Sequence, residues 1–271
     1  MAPATRSTTV KDFPYWLAFA FVIAVGVAIA IAASGLYAQI FATVSKGIAI
    51  TIFVTVVGFF LASLMGLGLA LLGLSGSIWL RQGARFYVEI IRGVPILVLL
   101  FWIAFAGVPG FVALWNVVAT PLRDAGLVDA LQVRDVSLLW RAIIALTIGY
   151  SAFISEVFRA GIQAVEPGQI EAAKALGLSR SQRFKLIIMP QAIRTILPPL
   201  GNDFIAMVKD SSLVSVLGVA DITQMGKVYA AGSFRFFETY SIVAYIYLVL
   251  TVSLSLGLRA LEQNLRKAHE R

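Results

Sequence analysis

Residues 47–73 read GIAITIFVTVVGFFLASLMGLGLALLG, 27 positions without one Asp, Glu, Lys or Arg. At 1.5 Å rise per residue that run makes a helix of about 40 Å, against roughly 30 Å of hydrocarbon in a bilayer. It is long enough to cross with a tilt. Inside it Ala62, Gly66 and Ala70 recur every fourth residue, the spacing that lets two membrane helices approach closely. Gly66, Gly68 and Gly73 fit that packing role and match no phosphate-binding motif.

The rest of the chain repeats the pattern. Apolar runs cover Pro14 to Ala33, Val88 to Gly107, Leu138 to about Ala160, and Thr239 to Leu261. Hydrophobic residues make up 59% and charged residues 13%, about half the usual charged share of a soluble domain. Too few charges remain to clothe a soluble protein of this apolar content, so an ordinary cytosolic enzyme is excluded and an all-α polytopic membrane protein is predicted. Cysteine is absent, which removes disulfides, thiolate nucleophiles and Cys-ligated metal. The lone histidine is His269 in the tail, so no His-based catalysis or metal site is expected. The net charge of +8 suits basic cytoplasmic loops better than nucleic acid.

A sixth span, about Thr195 to Val219, carries Pro198, Pro199, Asn202, Asp203, Lys209 and Asp210 among Leu, Ile, Val, Phe and Met. With six spans and both termini in the cytoplasm, fifteen of the 22 Lys and Arg residues fall inside, six outside and Lys209 within a span. That agrees with the positive-inside rule. Without the sixth span the C-terminal Arg/Lys cluster would lie outside. Pro14 to Ala33, flanked by Arg6 and Lys11, is too long for a signal-peptide core and is expected to remain as an anchor. Trp16 and Trp140 read as interfacial anchors. Arg92-Gly93-Val94-Pro95 opens the third span, where Pro is tolerated and Arg92 can snorkel. Val108 to Ser137 reads as a long external loop, and Asp221 with Lys227 as an external loop between the last two spans.

The cytoplasmic segment Gly161 to Ile193 contains EAAKALGLSRSQRFKLIIMP from Glu171. Glu166-Pro167-Gly168 makes a turn. Ile170 to Leu176 suits a short Ala-rich helix with Glu171 in its first turn, favoured by the helix dipole. Gly177 is placed for a left-handed cap, and Ser179 to cap a second helix near Arg180. Ala172, Ala173 and Ala175 leave a thin profile suited to a groove on another protein. The same residues also suit an ordinary surface helix-turn-helix with alanine as filler.

Glu171, Ala172, Ala173, Gly177, Ile187 and Pro190 resemble, at its spacing, the EAA signature of permease subunits in binding-protein-dependent ATP-binding-cassette importers; Met189 stands where the pattern usually has Leu. The resemblance runs from about Gly47 to Arg266. It includes RGVPILVLLFW (92–102), EVFRAGIQAVEPGQ (156–169) and LPPLGNDFIAMVKDSSLVSVLGV (197–219), which together look like the polar amino-acid uptake branch. It implies a type I importer transmembrane domain of five core spans plus one extra N-terminal span. The implied divisions are 1–46 for tail, extra helix and short external loop, 47–261 for the transport domain with its coupling loop at about 166–190, and 262–271 for a tail. It further implies a bacterial inner-membrane location, cytoplasmic ATPase subunits that hold ATP and Mg, a second permease subunit, identical or paralogous, and an external solute-binding protein. Glu171, Ala172, Ala173, Leu176 and Gly177 would then couple to the ATPase. No G-x-x-x-x-G-K-[ST] loop occurs, so energy must come from a partner.

Ionisable residues at membrane depth cost about 2.5–3.5 kcal/mol each on insertion scales, so they line cavities or pair. Asn202, Asp203, Lys209 and Asp210 fall within about 120° of helical arc and are expected to look into the bundle. Glu156, with Ser155 and Tyr150 near it in sequence, adds polar groups from the preceding span. A zwitterionic amino acid needs a carboxylate for its ammonium and an ammonium or helix N-terminal amides for its carboxylate. Lys209 with Asp203, Asp210 or Glu156 offers that pairing. The same charges also suit a structural ion-pair cluster, and Glu156 with Arg159 a simple boundary pair. Two other classes remain: an ion-coupled secondary transporter, although no inverted repeat is evident, and a structural or assembly membrane protein.

Overall fold

Where Gly66 meets the chain's central helix, an added Cβ would lie 3.0 Å from Ile154 Cγ2 and 3.1 Å from the Ser151 carbonyl. The computed structural model describes residues 15–267; Arg6, Lys11, Pro14, His269 and Arg271 fall outside them. Among those residues every regular element is helical: α1 (Tyr15–Ala33), α2 (Gly35–Val44), α3 (Ile48–Gly73), α4 (Ile78–Gly93), α5 (Ile96–Trp102), α6 (Val108–Val118), α7 (Thr120–Asp124), α8 (Leu138–Gln163), α9 (Pro167–Ala175), α10 (Arg180–Arg183), α11 (Met189–Asp210), α12 (Ile222–Ser233) and α13 (Phe236–Lys267).

Helix α8 is the hub: 67% of its span is buried, against 6% of α1. In a bilayer the surrounding lipid is as apolar as leucine, so close packing rather than transfer from water holds such helices together. The small residues make that possible. Ala62, Gly66 and Ala70 are all buried on α3 as the sequence spacing predicts, and Gly58 brings α3 within reach of Leu146 and Met207. Helices α3 and α8 run parallel, with Gly58 by Leu146 and Gly66 by Ile154. Helix α11 runs against them, with Ile196 by Gly161 and Met207 by Gly58. Helix α13 reverses again, Leu258 lying on Gly201, and α1 lies antiparallel to α13, with Tyr245 by Ala24 and Arg259 by Trp16.

Among the described residues five helices are long and apolar enough to cross a membrane: Tyr15–Ala33, Gly35–Gly73, Ile96–Val118, Leu138–Gln163 and Phe236–Glu262. The third differs from the predicted Val88 to Gly107. Val94 and Pro95 are extended and break the chain between α4 and α5, so Val88 belongs to the amphipathic α4 and the span begins at Ile96. Its other end runs through Val108–Val118, which was expected in an external loop. Pro109 there sits just inside a new helical turn, after a π-helical stretch at Ile103–Gly107. A π turn likewise precedes Pro190 at Phe184–Ile188. Proline lacks an N–H and crowds the preceding turn, and in both places the helix widens before it instead of ending. The predicted Thr195 to Val219 is not among the five. Its helix is Met189–Asp210, long enough at 22 residues but bearing Arg194, Asp203, Lys209 and Asp210. The chain then tightens to a 3₁₀ stretch, Ser211–Leu217, closed by left-handed Gly218.

Arg141, near the start of the predicted Leu138 to Ala160 span, and Asp221, predicted in an external loop, prove to be buried anchors. Arg141 donates to the carbonyls of Val136 (2.8 Å), Ala104 (3.0 Å) and Val133. Asp221 is fully buried, caps α12 through the Gln224 N–H (2.8 Å) and accepts from the Tyr247 hydroxyl (3.1 Å). Burial raises its carboxyl above the usual carboxylate range, and the bonds from Gln224, Thr223 and Tyr247 pull it back. Lys227, on the same helix, stays exposed.

Candidate coupling knob and polar helix face

After α8 the chain turns through Ala164–Glu166 into α9. Pro167 opens that helix, its fixed φ and missing N–H both suiting the first helical position. The helix therefore begins three residues earlier than predicted, and Glu171 lies in its second turn instead of its first. Glu171, Ala172, Ala175 and Leu176 are exposed, Leu176 at 80%. Ala173 is buried, on a helix that packs against the Arg180–Ile188 segment.

At the far end Gly177 adopts φ +75°, which costs a non-glycine residue about 1 kcal/mol or more. Its N–H bonds to the Lys174 carbonyl (2.9 Å) and the Leu178 N–H to Ala173 (3.1 Å), the left-handed closure predicted for this glycine. Ser179 then accepts from the Gln182 N–H while the Gln182 side chain accepts from the Ser179 N–H, so the cap of α10 forms as expected. The Gln191 amide donates to the Gln169 side chain (2.6 Å), tying α9 to α11. An alanine-sided knob is thus joined to α8 and tied to α11 near its N-terminal end, and closed on itself at Gly177.

The polar face of α11 is only partly inward. Asn202 and Lys209 are exposed, and Asp203 and Asp210 half-buried. The stripe looks out along an edge of the bundle that this chain does not cover, a correction to the inward placement expected from its charges. Among the described residues no ion pair joins Lys209 to an acid. Asp210 instead accepts from the Tyr150 hydroxyl of α8 at 2.7 Å, and a buried Oδ2 of Asp203 has no hydrogen-bond partner. Pro198 and Pro199 sit inside the helix; lacking N–H groups, they leave the carbonyls of Arg194 and Thr195 without their helical donors.

Glu156 does not join that stripe. It takes the boundary pairing with Arg159 (2.5 Å), and Arg159 also donates to Gln163 (2.7 Å). The pair lines a polar cleft of about 390 Å³ between α3, α4 and α8, shared with Arg81, Arg85 and Glu89. In the sequence Arg81 and Arg85 count only among the cytoplasmic charges, and Glu89 has no assignment. Their i, i+4, i+8 spacing puts them on one helix face, a signal hidden while Val88 was assigned to a span.

Residues 58–267 match the family described as binding-protein-dependent transport system inner membrane component. The chain is 35% identical over 216 residues to the probable amino-acid permease protein YxeN of Bacillus subtilis, covering 80% of this chain and 88% of that one. It is 33% identical over 221 residues to the glutamine transport system permease protein GlnP of Escherichia coli, covering 82% and 92%. Its fold matches a chain in the crystal structure of an amino acid ABC transporter with histidines, with TM-score 0.69 and 36% identity over 84% of this chain and 95% of that one.

Proposed function

The chain belongs to the binding-protein-dependent transport system inner membrane component family, and from that premise we propose that it moves polar amino acids inward across a bacterial inner membrane. It is the membrane-spanning permease subunit of an ABC importer, and ATP hydrolysis falls to separate ATPase subunits. Those subunits hold ATP and Mg, a solute-binding protein delivers the amino acid from outside, and a second permease subunit completes the path. The chain itself carries no cofactor.

One observation carries the reading: α9 is a thin, exposed knob clamped between α8 and α11. Closure of an ATPase dimer beneath it pushes Glu171, Ala172, Ala173, Leu176 and Gly177 as one piece. Gln169–Gln191 and the Gly177 closure pass that push into α11. The π turn before Pro190 and the Pro198-Pro199 pair, where ladder bonds are missing, let α11 bend in response. Tyr150–Asp210 links the middle of α8 to the far end of α11, so both helices swing together.

Substrate contact falls to Asn202, Asp203, Lys209 and Asp210, with Glu156 deeper toward the α9 side. Exposure of Asn202 and Lys209 supports a path between two permease subunits. Lys209 would pair with the substrate carboxylate and an acid with its ammonium. At about 33 Å, α11 is long enough to cross despite its charges. Counted with it, six crossings bring both termini to the cytoplasmic side, where α9 also lies.

The test is reconstitution. With its ATPase subunits and binding protein in vesicles, the chain takes up labelled glutamine only when ATP is supplied. Uptake by the chain alone on an ion gradient, without nucleotide, would favour a secondary transporter and overturn the reading.

A further inference from the structure

Helix α1 has a single buried residue, Ile31, and it stands off α13 enough to leave a groove of about 690 Å³ between them. Phe21, Ala24 and Ala28 form one wall and Leu248, Val252 and Leu256 the other. The Tyr245 hydroxyl in the groove is already engaged, donating to the Ala24 carbonyl at 3.1 Å. Among the described residues the lining is apolar apart from Tyr245 and Ser253, and in a spanning protein its solvent is lipid.

Length and charge identify the occupant. From Leu17 to Ala28 the groove runs eleven residue steps, about 16 Å, which is half of the roughly 30 Å hydrocarbon thickness. A partner helix crossing the bilayer needs the full depth, whereas an acyl chain needs one leaflet. At the end nearest α9 the Arg259 guanidinium lies 5.7 Å from the centre of the Trp16 ring. An exposed arginine beside an interfacial tryptophan sits at phosphate level. We propose that this groove seats one acyl chain of an anionic phospholipid from the leaflet on the α9 side, with its phosphate at Arg259. The inference rests on the spanning arrangement above and adds a lipid site between the N-terminal helix and the last one.

Native mass spectrometry of the intact importer, extracted in detergent with equal phosphatidylglycerol and phosphatidylcholine, reads the site directly. Wild type retains one phosphatidylglycerol per chain, with about fivefold preference, the effect of one interfacial arginine. Arg259→Gln loses the preference and Arg259→Lys keeps it. Ala24→Phe, which plugs the groove, loses the retained lipid. Val22→Phe, which adds the same ring on the exposed side of α1, does not. Equal retention of both lipids by wild type, unchanged retention in Ala24→Phe, or a cross-link from position 24 to another protein overturns the proposal. ATP-driven uptake, measured on the same samples, reports on the transport reading separately.

Discussion

Gly161 of α8 lies against Ile196 of α11 with no room for a side chain: a Cβ on Gly161 would stand 2.2 Å from Ile196 Cγ1 and 3.3 Å from the Ala192 carbonyl. The contact sits at the root of the knob, where the two helices leave the bundle to form α9 and α10. Gly161→Ala must displace the buried Ile196 side chain there, and overpacking of this kind costs about 1–3 kcal/mol. The melting temperature of the purified importer should fall accordingly, and uptake should fall further than ATPase activity, because a repacked α8–α11 contact no longer follows α9. A variant with unchanged melting and unchanged uptake would show that Ile196 swings aside and that the contact does not couple the helices.

The knob's tip gives a second prediction. Leu176 is 80% exposed and, on the transport reading, is covered by the ATPase subunit. Burying a leucine contributes about 2 kcal/mol, or about thirtyfold in affinity. Leu176→Asp should therefore weaken ATPase co-purification by about that factor while membrane insertion stays normal. Glu171→Lys and Gly177→Pro should act in the same direction, the first by charge and the second by destroying the left-handed closure. Full coupled uptake in all three would remove the coupling assignment.

How much of this was legible beforehand follows from where polar residues stand. Spans such as Ile48–Gly73 and Leu138–Gln163 are uninterrupted apolar runs, so hydropathy alone placed them within a few residues. The knob was legible because its devices are local: Pro167 at the start, Gly177 and Ser179 at the stop. What stayed hidden depends on tertiary contact. Gly107, Pro109 and Gly110 look like loop residues, yet neighbours packed on Val108 and Val112 keep that stretch helical. Helix α2 was read as a short external loop because its apolar face shows only against Ile222 and Ile242. Nor can helical periodicity say which face a neighbour leaves open, and this is why the α11 stripe was placed inward.

Lys209 separates a transport role from a scaffolding one. It is exposed and holds no ion pair among the described residues, so Lys209→Ala should change stability by no more than about 0.5 kcal/mol. Uptake should nevertheless fall, with Lys209→Arg restoring part of it. Size-exclusion chromatography of the importer decides the alternative: subunits that scatter on Lys209→Ala would mark the residue as interface scaffold.

Tyr150→Phe deletes the hydroxyl that donates to Asp210 at 2.7 Å. A hydrogen bond to a carboxylate contributes about 1.5–3 kcal/mol, so melting should drop while Asp210→Asn, which keeps an acceptor for the phenol, drops less. If the bond also makes α8 and α11 move together, Tyr150→Phe lowers the uptake obtained per ATP hydrolysed, a ratio that loss of folded protein alone does not alter.

Asp203 carries the sharpest contrast between stability and work. One of its carboxylate oxygens is buried without a partner, and a buried unpaired polar atom costs about 1–3 kcal/mol. The cost is larger for a carboxylate than for a neutral group, and a site awaiting a substrate ammonium would tolerate it. Asp203→Asn removes the charge at nearly constant shape. It should raise the melting temperature of the substrate-free importer or leave it unchanged, and sharply reduce uptake. A lower melting temperature with normal uptake per folded importer would assign Asp203 to the scaffold and withdraw it from the translocation path.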